Sequence, residues 1–295
     1  MKKLIVGLFI LSGITNYCMA QDDLLNLLDS ISPEETQYTI ATFKSTRIID
    51  GHSIERMQKK QLDFRISHRF GRINQGISEF FGLDQSTIFL GLDYGITNWL
   101  MIGLGRTTDE KTVNTYAKLS LFRQCKGKRN FPVSISYDGN ISIMTRVWDD
   151  PTRKNYFSSR FSYVNQFLVA RKFSEKISLQ ISPTWVHRNL VPTALDNNDV
   201  FALGLGGRYK LTRRISFNAE YYPVLRPYWN YKDPDHTDAL SFGFDIETGG
   251  HVFQLFFTNS SGMIEKKFIT ETTGKWLKGD IIFGFNISRV FSFKR

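Results

Sequence analysis

Cysteine is scarce in this chain of 295 residues. It occurs twice, at Cys18 and Cys125, and Cys18 lies in a leader that we expect to be removed. One remaining cysteine cannot form an intramolecular disulfide, and it cannot build a cysteine-rich metal site. The composition therefore excludes a disulfide scaffold and a cysteine-based metal centre.

Long apolar runs are also missing. After Gln21 the sequence has no window of 18 consecutive apolar residues, and only 41% of the chain is hydrophobic. A transmembrane helix needs ~20 such residues, so a helical membrane protein is excluded. A transmembrane β-barrel stays possible, because each strand needs only about ten residues with every second one apolar.

Ligand-type histidine spacing is absent. The histidines fall at positions 52, 68, 187, 236 and 251, with no HxH or HxxxH pattern, so we expect no metal and no cofactor. His68 and His187 fall near the predicted ends of strands, where interfacial hydrogen bonding is their ordinary role.

Enzymatic signals are missing too. Twelve-stranded outer-membrane phospholipases use Ser and His on the lipid-facing wall, yet no His-x-Ser occurs here. We expect no enzyme. A pair of His187 with a serine on a neighbouring strand keeps lipid hydrolysis as a third alternative.

The first twenty residues have the pattern of a secretory signal. Lys2 and Lys3 precede an apolar stretch from Leu4 to Ile14, and Ala20 is a small residue at the cleavage point. The stretch is too short to anchor the chain in a membrane. The residues before Cys18 lack the small-residue pattern of lipid attachment. Removing the leader leaves 36 basic and 28 acidic residues, a net charge of +8.

Residues 21–60 are predicted to form a periplasmic segment before the main repeat. Within it, residues 22–32 have leucines and an isoleucine at helical spacing and are closed by Pro33, which predicts an amphipathic helix. This helix is either a plug or docking element or a linker lying on the rim. Residues 38–44 hint at a further strand.

Strict alternation begins at Gln61. Residues 86–107 form the clearest unit, a β-hairpin with one continuous apolar face and one small or polar face. Similar alternation recurs to Phe293 and predicts twelve strands, or up to fourteen if residues 38–44 contribute. The predicted strands after Gln61 and the hairpin are 112–123, 131–144, 158–172, 176–187, 199–211, 214–223, 238–248, 251–260 and 279–293.

Connection lengths alternate between tight and long, which is typical of membrane barrels with short periplasmic turns and long outer loops. A secreted β-sandwich would also alternate. The apolar face, however, carries no Lys, Asp or Glu across the central part of the strands, while the other face is rich in Gly, Ser, Asn and Gln. Aromatic residues gather toward strand ends, as at Trp99 and Trp185. The prediction is an all-β protein: one antiparallel transmembrane barrel over residues 61–295.

Three strings carry a resemblance: HRFGRINQG from His68, GLDYGITNWLMIGLGR from Gly91 and SPTWVHRNLV from Ser182. They resemble a family of bacterial outer-membrane β-barrels of unknown function, over roughly Gln61 to the C-terminus. The resemblance implies the barrel fold and the outer membrane of a Gram-negative-type bacterium, and it brings no catalytic residue. Phe291 and Phe293 also resemble the C-terminal signal that barrel-assembly machinery reads, although Lys294 and Arg295 follow.

Charged residues on the polar face are the candidates for lining the lumen. Five are basic and seven acidic, a near balance that predicts ion pairs across the interior rather than the one-sign lining of a strongly selective pore. A stripe of Glu220, Asp245 and Glu247 suggests a place where a small polar or zwitterionic solute binds. The candidates are Asp63, Arg65, Arg69, Asp93, Lys118, Asp138, Arg160, Arg208, Glu220, Asp245, Glu247 and Asp280.

The sequence thus predicts an outer-membrane barrel that passes a small solute. The alternative is a structural or partner-docking barrel without an open pore. Expected partners are outer-membrane lipids and lipopolysaccharide phosphates, the barrel-assembly machinery and a periplasmic protein docking on residues 22–32. Export makes nucleic acid an unsuitable partner for the basic chain.

Overall fold

The computed structural model describes residues 35–194, 196–226 and 235–293. The predicted leader and the predicted helix at 22–32 lie outside these residues. The chain divides into two compact units. The described part of the first unit is residues 35–37 and 125–130, and the second unit contains residues 38–124 and 131–293.

A two-stranded sheet pairs β1 (Gln37–Tyr38) with β6 (Cys125–Lys126). In this first unit Gly127 has a φ of +92°, and a Cβ at this position would lie 2.2 Å from the carbonyl oxygen of Glu35. Glycine is therefore required at this turn.

Twelve strands within the described ranges close into one barrel, and every neighbouring pair is antiparallel. The last strand pairs with the first barrel strand and closes the sheet, which removes the exposed edges. The strands are β2 (Gln61–Arg72), β3 (Ser86–Gly95), β4 (Leu100–Thr107), β5 (Val113–Phe122), β7 (Ser134–Ile143), β8 (Phe161–Lys172), β9 (Ile177–Arg188), β10 (Asp199–Lys210), β11 (Ile215–Tyr222), β12 (Ala239–Thr248), β13 (His251–Thr258) and β14 (Ile282–Ser292).

The alternation predicted from the sequence is confirmed in the barrel. Leu90 and Leu104 on the apolar face are 49% and 51% exposed, whereas Asp93 and Lys118 on the polar face are 2% and 0% exposed. The barrel is therefore apolar outside and polar inside, the arrangement that a strand needs in lipid.

The two ends of the barrel differ. At one end, the short-turn end, the tight connections are 96–99, 173–176, 211–214 and 249–250, and this end also carries 123–124 after β5 and 131–133 before β7. The other end, the long-connection end, carries the described residues 73–85, 144–160, 189–194, 196–198, 223–226, 235–238 and 259–281, with a short link at 108–112. No helix among the described residues is long and apolar enough to cross a membrane.

A β-hairpin made of residues 42–57, here called the lumenal hairpin, lies inside the barrel. Its two legs are joined by Ser53 N–H donating to the Thr46 carbonyl at 3.0 Å, and its tip by Ile48 N–H donating to Gly51 at 2.9 Å. The sequence interpretation placed residues 21–60 outside the barrel. The structure differs over 42–57, because polar groups of the inward face hydrogen-bond this segment, a contact that strand periodicity does not encode.

The connection between β13 and β14 also enters the lumen. Its helix α1 (Glu265–Thr270) buries Phe268 and Ile269 completely. These two side chains pack with inward-facing apolar residues of the wall, including Val164, Val186 and Val200. Part of the inward face is thus apolar because it receives a helix. The five 3₁₀ turns of the described residues are Ile73–Gln75, Ile77–Gly82, Asp109–Lys111, Phe157–Arg160 and Trp276–Lys278.

Candidate functional site in the barrel lumen

Nine of the twelve residues predicted to line the lumen point inward from barrel strands and are buried. Alternation places them there, since successive side chains of a strand face opposite sides of the sheet. They are Asp63, Arg65, Arg69, Asp93, Lys118, Asp138, Arg208, Glu220 and Asp245.

The other three predicted residues lie at the rims. Arg160 is in a 3₁₀ turn and donates to the carbonyls of Met144 and Arg146. Glu247 is near the short-turn end of β12, where it pairs with Lys44. Asp280 precedes β14 and pairs with Arg72 at 3.3 Å. Arg160 and Asp280 lie just outside the strands, where alternation does not apply, whereas Glu247 is within β12 and contacts the hairpin at the rim.

The predicted acidic stripe contacts the lumenal hairpin. Glu220 accepts hydrogen bonds from the backbone N–H groups of Ile49, Asp50 and Gly51, the closest at 2.7 Å. Asp245 accepts from the Gln254 amide at 2.8 Å. The carboxylate of Glu220 therefore holds the tip of the hairpin in the place where the sequence interpretation put a solute.

Basic wall residues hold the rest of the hairpin. Lys118 donates to the carbonyls of Thr46, Ser53 and Glu55 at 3.3, 2.8 and 3.0 Å. Arg65 donates to the hydroxyls of Ser45 at 2.7 Å and Thr46 at 2.8 Å. Arg69 pairs with Asp50, and Arg208 donates to the carbonyls of Ala41 and Thr42. Charge-assisted hydrogen bonds of this kind are stronger than neutral ones.

The centre of the lumen joins three elements. Arg47 of the hairpin pairs with Glu265 of α1, and its guanidinium lies 5.3 Å from the centre of the Tyr116 ring. His52 Nε2 lies 3.3 Å from Asp138 Oδ2 on the wall and 3.6 Å from Glu265 Oε1. Hairpin, wall and α1 therefore meet in one buried cluster of charged groups.

Sequence reasoning missed five members of this interior: Arg47, Asp50, His52, Arg188 and Glu265. Four of them lie outside the strands, so alternation could not identify them. Arg188 is the last residue of β9 and follows its alternation. One signal was available, because Asp-Gly at 50–51 is a common hairpin turn.

Ion pairs also connect α1 to the link between β4 and β5. Lys266 Nζ lies 3.0 Å from Glu110 Oε2, and Lys267 Nζ lies 2.6 Å from Glu271 Oε2. Burial alone would raise the pKa of Glu110, but Lys266 and Lys267 outweigh it and lower that pKa. Burial also opposes the charge of Lys267, and its acidic neighbours raise the pKa above the usual value.

Two polar cavities lie at opposite ends of the barrel. One, about 380 Å³, is at the short-turn end between the hairpin legs and the ends of β5 and β7. The other, about 430 Å³, is at the long-connection end between β2, β3 and the 259–273 connection. The hairpin tip and α1 fill the lumen at levels between these ends.

Ligand-type clusters are absent from the part of the chain that the structure describes: no three His, Cys, Asp or Glu residues there could hold a metal ion. The histidines lie far apart in the fold. His52 is in the hairpin, whereas His68 and His187 are on outward positions of β2 and β9.

Residues 43–291 match a family described as "Membrane bound beta barrel domain (DUF5777)". No curated protein matches the sequence significantly. Among solved structures, the chain is similar to the NanC porin, with 11% identity, a TM-score of 0.47, and 79% of this chain and 100% of that one covered.

The KdgM porin gives 10% identity and a TM-score of 0.45, with 79% and 99% covered. An outer membrane channel from Pseudomonas putida F1 gives 12% identity and a TM-score of 0.46, with 80% and 97% covered.

Proposed function

Because the chain belongs to this family of membrane-bound β-barrel domains, we propose that it is an outer-membrane channel for a small polar solute, held closed by the lumenal hairpin. Passage requires that the hairpin leave the lumen. The barrel wall stays intact while this happens.

The observation that carries this proposal is the direction from which the hairpin enters. Its first leg contacts the short-turn end through Lys44 and Glu247. Its second leg contains Arg56, whose Nε donates to the carbonyl of Asn98 in the turn between β3 and β4. Both legs therefore leave at the same end, and the hairpin can withdraw without being threaded through the barrel.

The wall behind the hairpin supports the same proposal. Ten buried charged side chains of the strands face the lumen, and most of them are satisfied by backbone groups and polar side chains of the hairpin. A buried charge is costly without such partners, and water can replace them once the hairpin leaves. A permanently filled interior would be at least as stable with apolar residues in these places.

A structural or docking barrel is the second candidate, and apolar packing favours it. Phe43, Ile48 and Ile54 of the hairpin pack against Leu168 and Ala170 of the wall. With α1 packed on the other inward valines, the filling is anchored at two levels. In this case residues 21–35 would dock a periplasmic protein, and deleting them would remove a co-purifying partner without changing permeability.

A reversible crosslink tests the channel proposal. A Cβ added at Gly206 would lie 3.7 Å from Ile48 Cγ1, which is compatible with a disulfide after modest adjustment. The variant Ile48→Cys/Gly206→Cys, with Cys125→Ser, is refolded into planar bilayers and its single-channel current is recorded before and after reduction.

We expect brief openings of the wild type, no openings of the oxidised double variant, and their return on reduction. The single variants Ile48→Cys and Gly206→Cys are the controls and should open in both conditions. If folded wild type and a folded variant lacking residues 42–57 both carry no current, the channel proposal fails and the docking barrel replaces it.

A further inference from the structure

The cavity of about 380 Å³ at the short-turn end, here called the inner-mouth cavity, has an unusual balance of charge. Two arginines line it: Arg56 in the second leg of the hairpin and Arg123 after β5. Its other polar lining comes mainly from hydroxyl and amide groups, among them Ser120, Ser134 and Asn98. Its size is in the range of small-molecule sites.

Neither guanidinium has a carboxylate within 4.0 Å among the residues described here. Arg56 uses only its Nε in a hydrogen bond, to the Asn98 carbonyl, and the guanidinium of Arg123 lies 4.5 Å from the centre of the Tyr38 ring. Burial lowers the pKa of Arg56, and the positive charge of Arg123 lowers it further. The two cations are thus close enough to repel each other.

Glu55 is the acidic residue of the cavity lining, and its carboxylate is hydrogen-bonded to the backbone of the hairpin rather than to an arginine. Its Oε1 accepts hydrogen bonds from the backbone N–H groups of Thr42 at 2.7 Å and Phe43 at 3.2 Å. Its negative charge raises the pKa of Arg56 and so opposes the effect of Arg123, although Glu55 forms no ion pair with Arg56. The lining therefore carries two positive charges against one negative.

We propose that the inner-mouth cavity binds a small soluble oxyanion, a carboxylate or phosphate, between Arg56 and Arg123. Guanidinium groups match such anions with two parallel N–H donors each. Ser134 Oγ accepts the backbone N–H of Gln124 at 2.9 Å, so its own proton is free to donate. Ser134 and Ser120 lie on the lumen side of β7 and β5, which favours a solute over a lipid head group.

Binding would also join two elements. Arg56 belongs to the hairpin and Arg123 directly follows the wall strand β5, so an anion between them cancels a repulsion and links the hairpin to the wall. A ligand that binds one state better shifts the population toward that state. The site does not depend on the channel proposal, because its occupancy is measured by binding rather than by current.

The test uses the refolded full-length mature protein in detergent and equilibrium dialysis with radiolabelled inorganic phosphate. The variants are Arg56→Gln and Arg123→Gln. The matched control is Arg171→Gln, which removes an arginine at the same end whose guanidinium lies 5.0 Å from the ring centre of Phe173 and is away from the cavity. Folding of each variant is checked by its heat-modifiable mobility on gels.

We expect phosphate binding to weaken at least tenfold in Arg56→Gln and in Arg123→Gln, and to stay within twofold in Arg171→Gln. Succinate should displace phosphate, and an equal concentration of chloride should not. Equal loss in all three variants, or displacement by chloride alone, would mean general attraction to a basic rim and would overturn the proposal. Because Arg123 lies outside the hairpin, its variant tests the site even if Arg56→Gln misfolds.

Discussion

Gly51 lies at the tip of the lumenal hairpin, where the Tyr222 hydroxyl occupies the space of a side chain. A Cβ at this position would be 1.8 Å from that oxygen and 2.7 Å from the ring carbon that carries it. Tyr222 is itself buried and packs edge-on against Phe268 of α1, with ring centres 4.9 Å apart. The tip therefore has no room to accept even a methyl group.

We predict that Gly51→Ala loosens the hairpin. Overpacking of this kind costs about 1–3 kcal/mol, and the hairpin tip can relieve it by leaving the Glu220 carboxylate. The measurement is amide hydrogen exchange of residues 46–53, which should quicken by tenfold or more, together with a higher frequency of channel openings.

The matched control for this change is Gly249→Ala in the turn between β12 and β13. Nothing lies within 4 Å of a Cβ there, and its φ is not in the left-handed region. Exchange in the hairpin should be unchanged in this control. Unchanged exchange in Gly51→Ala as well would show that the tip is not confined by Tyr222.

At the scale of elements, α1 and the lumenal hairpin are held differently. The helix buries Phe268 and Ile269 against apolar wall residues and adds ion pairs of Glu265 with Arg47 and of Lys266 with Glu110. The hairpin combines a smaller apolar contact with many hydrogen bonds to charged wall residues. Water competes for polar contacts and not for apolar ones, so the hairpin is the element more easily released.

Glu110 gives the α1 attachment a dependence on pH. Its pKa is lower in the folded protein than its usual value of 4.5, so its contribution to stability is present above that pH. The contribution is lost as pH falls through the lowered folded value. We predict that Glu110→Gln lowers the unfolding temperature by about 2–4 °C at pH 7, which corresponds to a loss of about 1 kcal/mol in the free energy of unfolding. The difference in unfolding temperature between wild type and variant should vanish at the lowest pH of the series.

Unfolding of wild type and Glu110→Gln followed by circular dichroism from pH 3 to pH 7 checks this. Glu175→Gln is the control, since Glu175 pairs with Lys172 at 3.1 Å but is 82% exposed. Exposed pairs contribute little, so we expect no measurable change there. A Glu110→Gln difference that stays constant down to pH 3 would contradict the role of its charge.

For the whole molecule, the balance of inward charge decides what an opened lumen would select. The nine predicted inward residues comprise four basic (Arg65, Arg69, Lys118 and Arg208) and five acidic (Asp63, Asp93, Asp138, Glu220 and Asp245) side chains, and the buried Arg188 at the end of β9 adds a fifth basic one. Such a wall is balanced in charge. It favours little selection between cations and anions.

We predict that a variant lacking residues 42–57 conducts with little selectivity between cations and anions. Adding Glu220→Gln and Asp245→Asn leaves five basic against three acidic wall charges, and the reversal potential in a tenfold potassium chloride gradient should shift toward anion selectivity. Asp199→Asn, whose carboxylate is exposed beside His187, is the control. If the reversal potential is the same with and without the substitutions of Glu220 and Asp245, ions do not pass this wall.

Much of the architecture was present in the sequence because a strand has a period of two. In each strand from Gln61 onward, the alternation of residues shows which face is apolar. The barrel of twelve strands follows from that local pattern and from alternating turn lengths. Inward placement of residues such as Asp93 and Lys118 was predictable for the same reason. Beyond the strand ends the pattern does not apply, and Arg160 and Asp280 lie in connections rather than in the wall.

The contents of the lumen were decided only by the tertiary structure. Residues 42–57 and α1 carry no strand period, and their positions depend on contacts between residues far apart in the chain, such as Asp50 with Arg69 and Arg47 with Glu265. Periodicity is a local property and reports which side of a strand faces lipid. It cannot report what fills the other side, because that depends on which distant groups satisfy the buried charges.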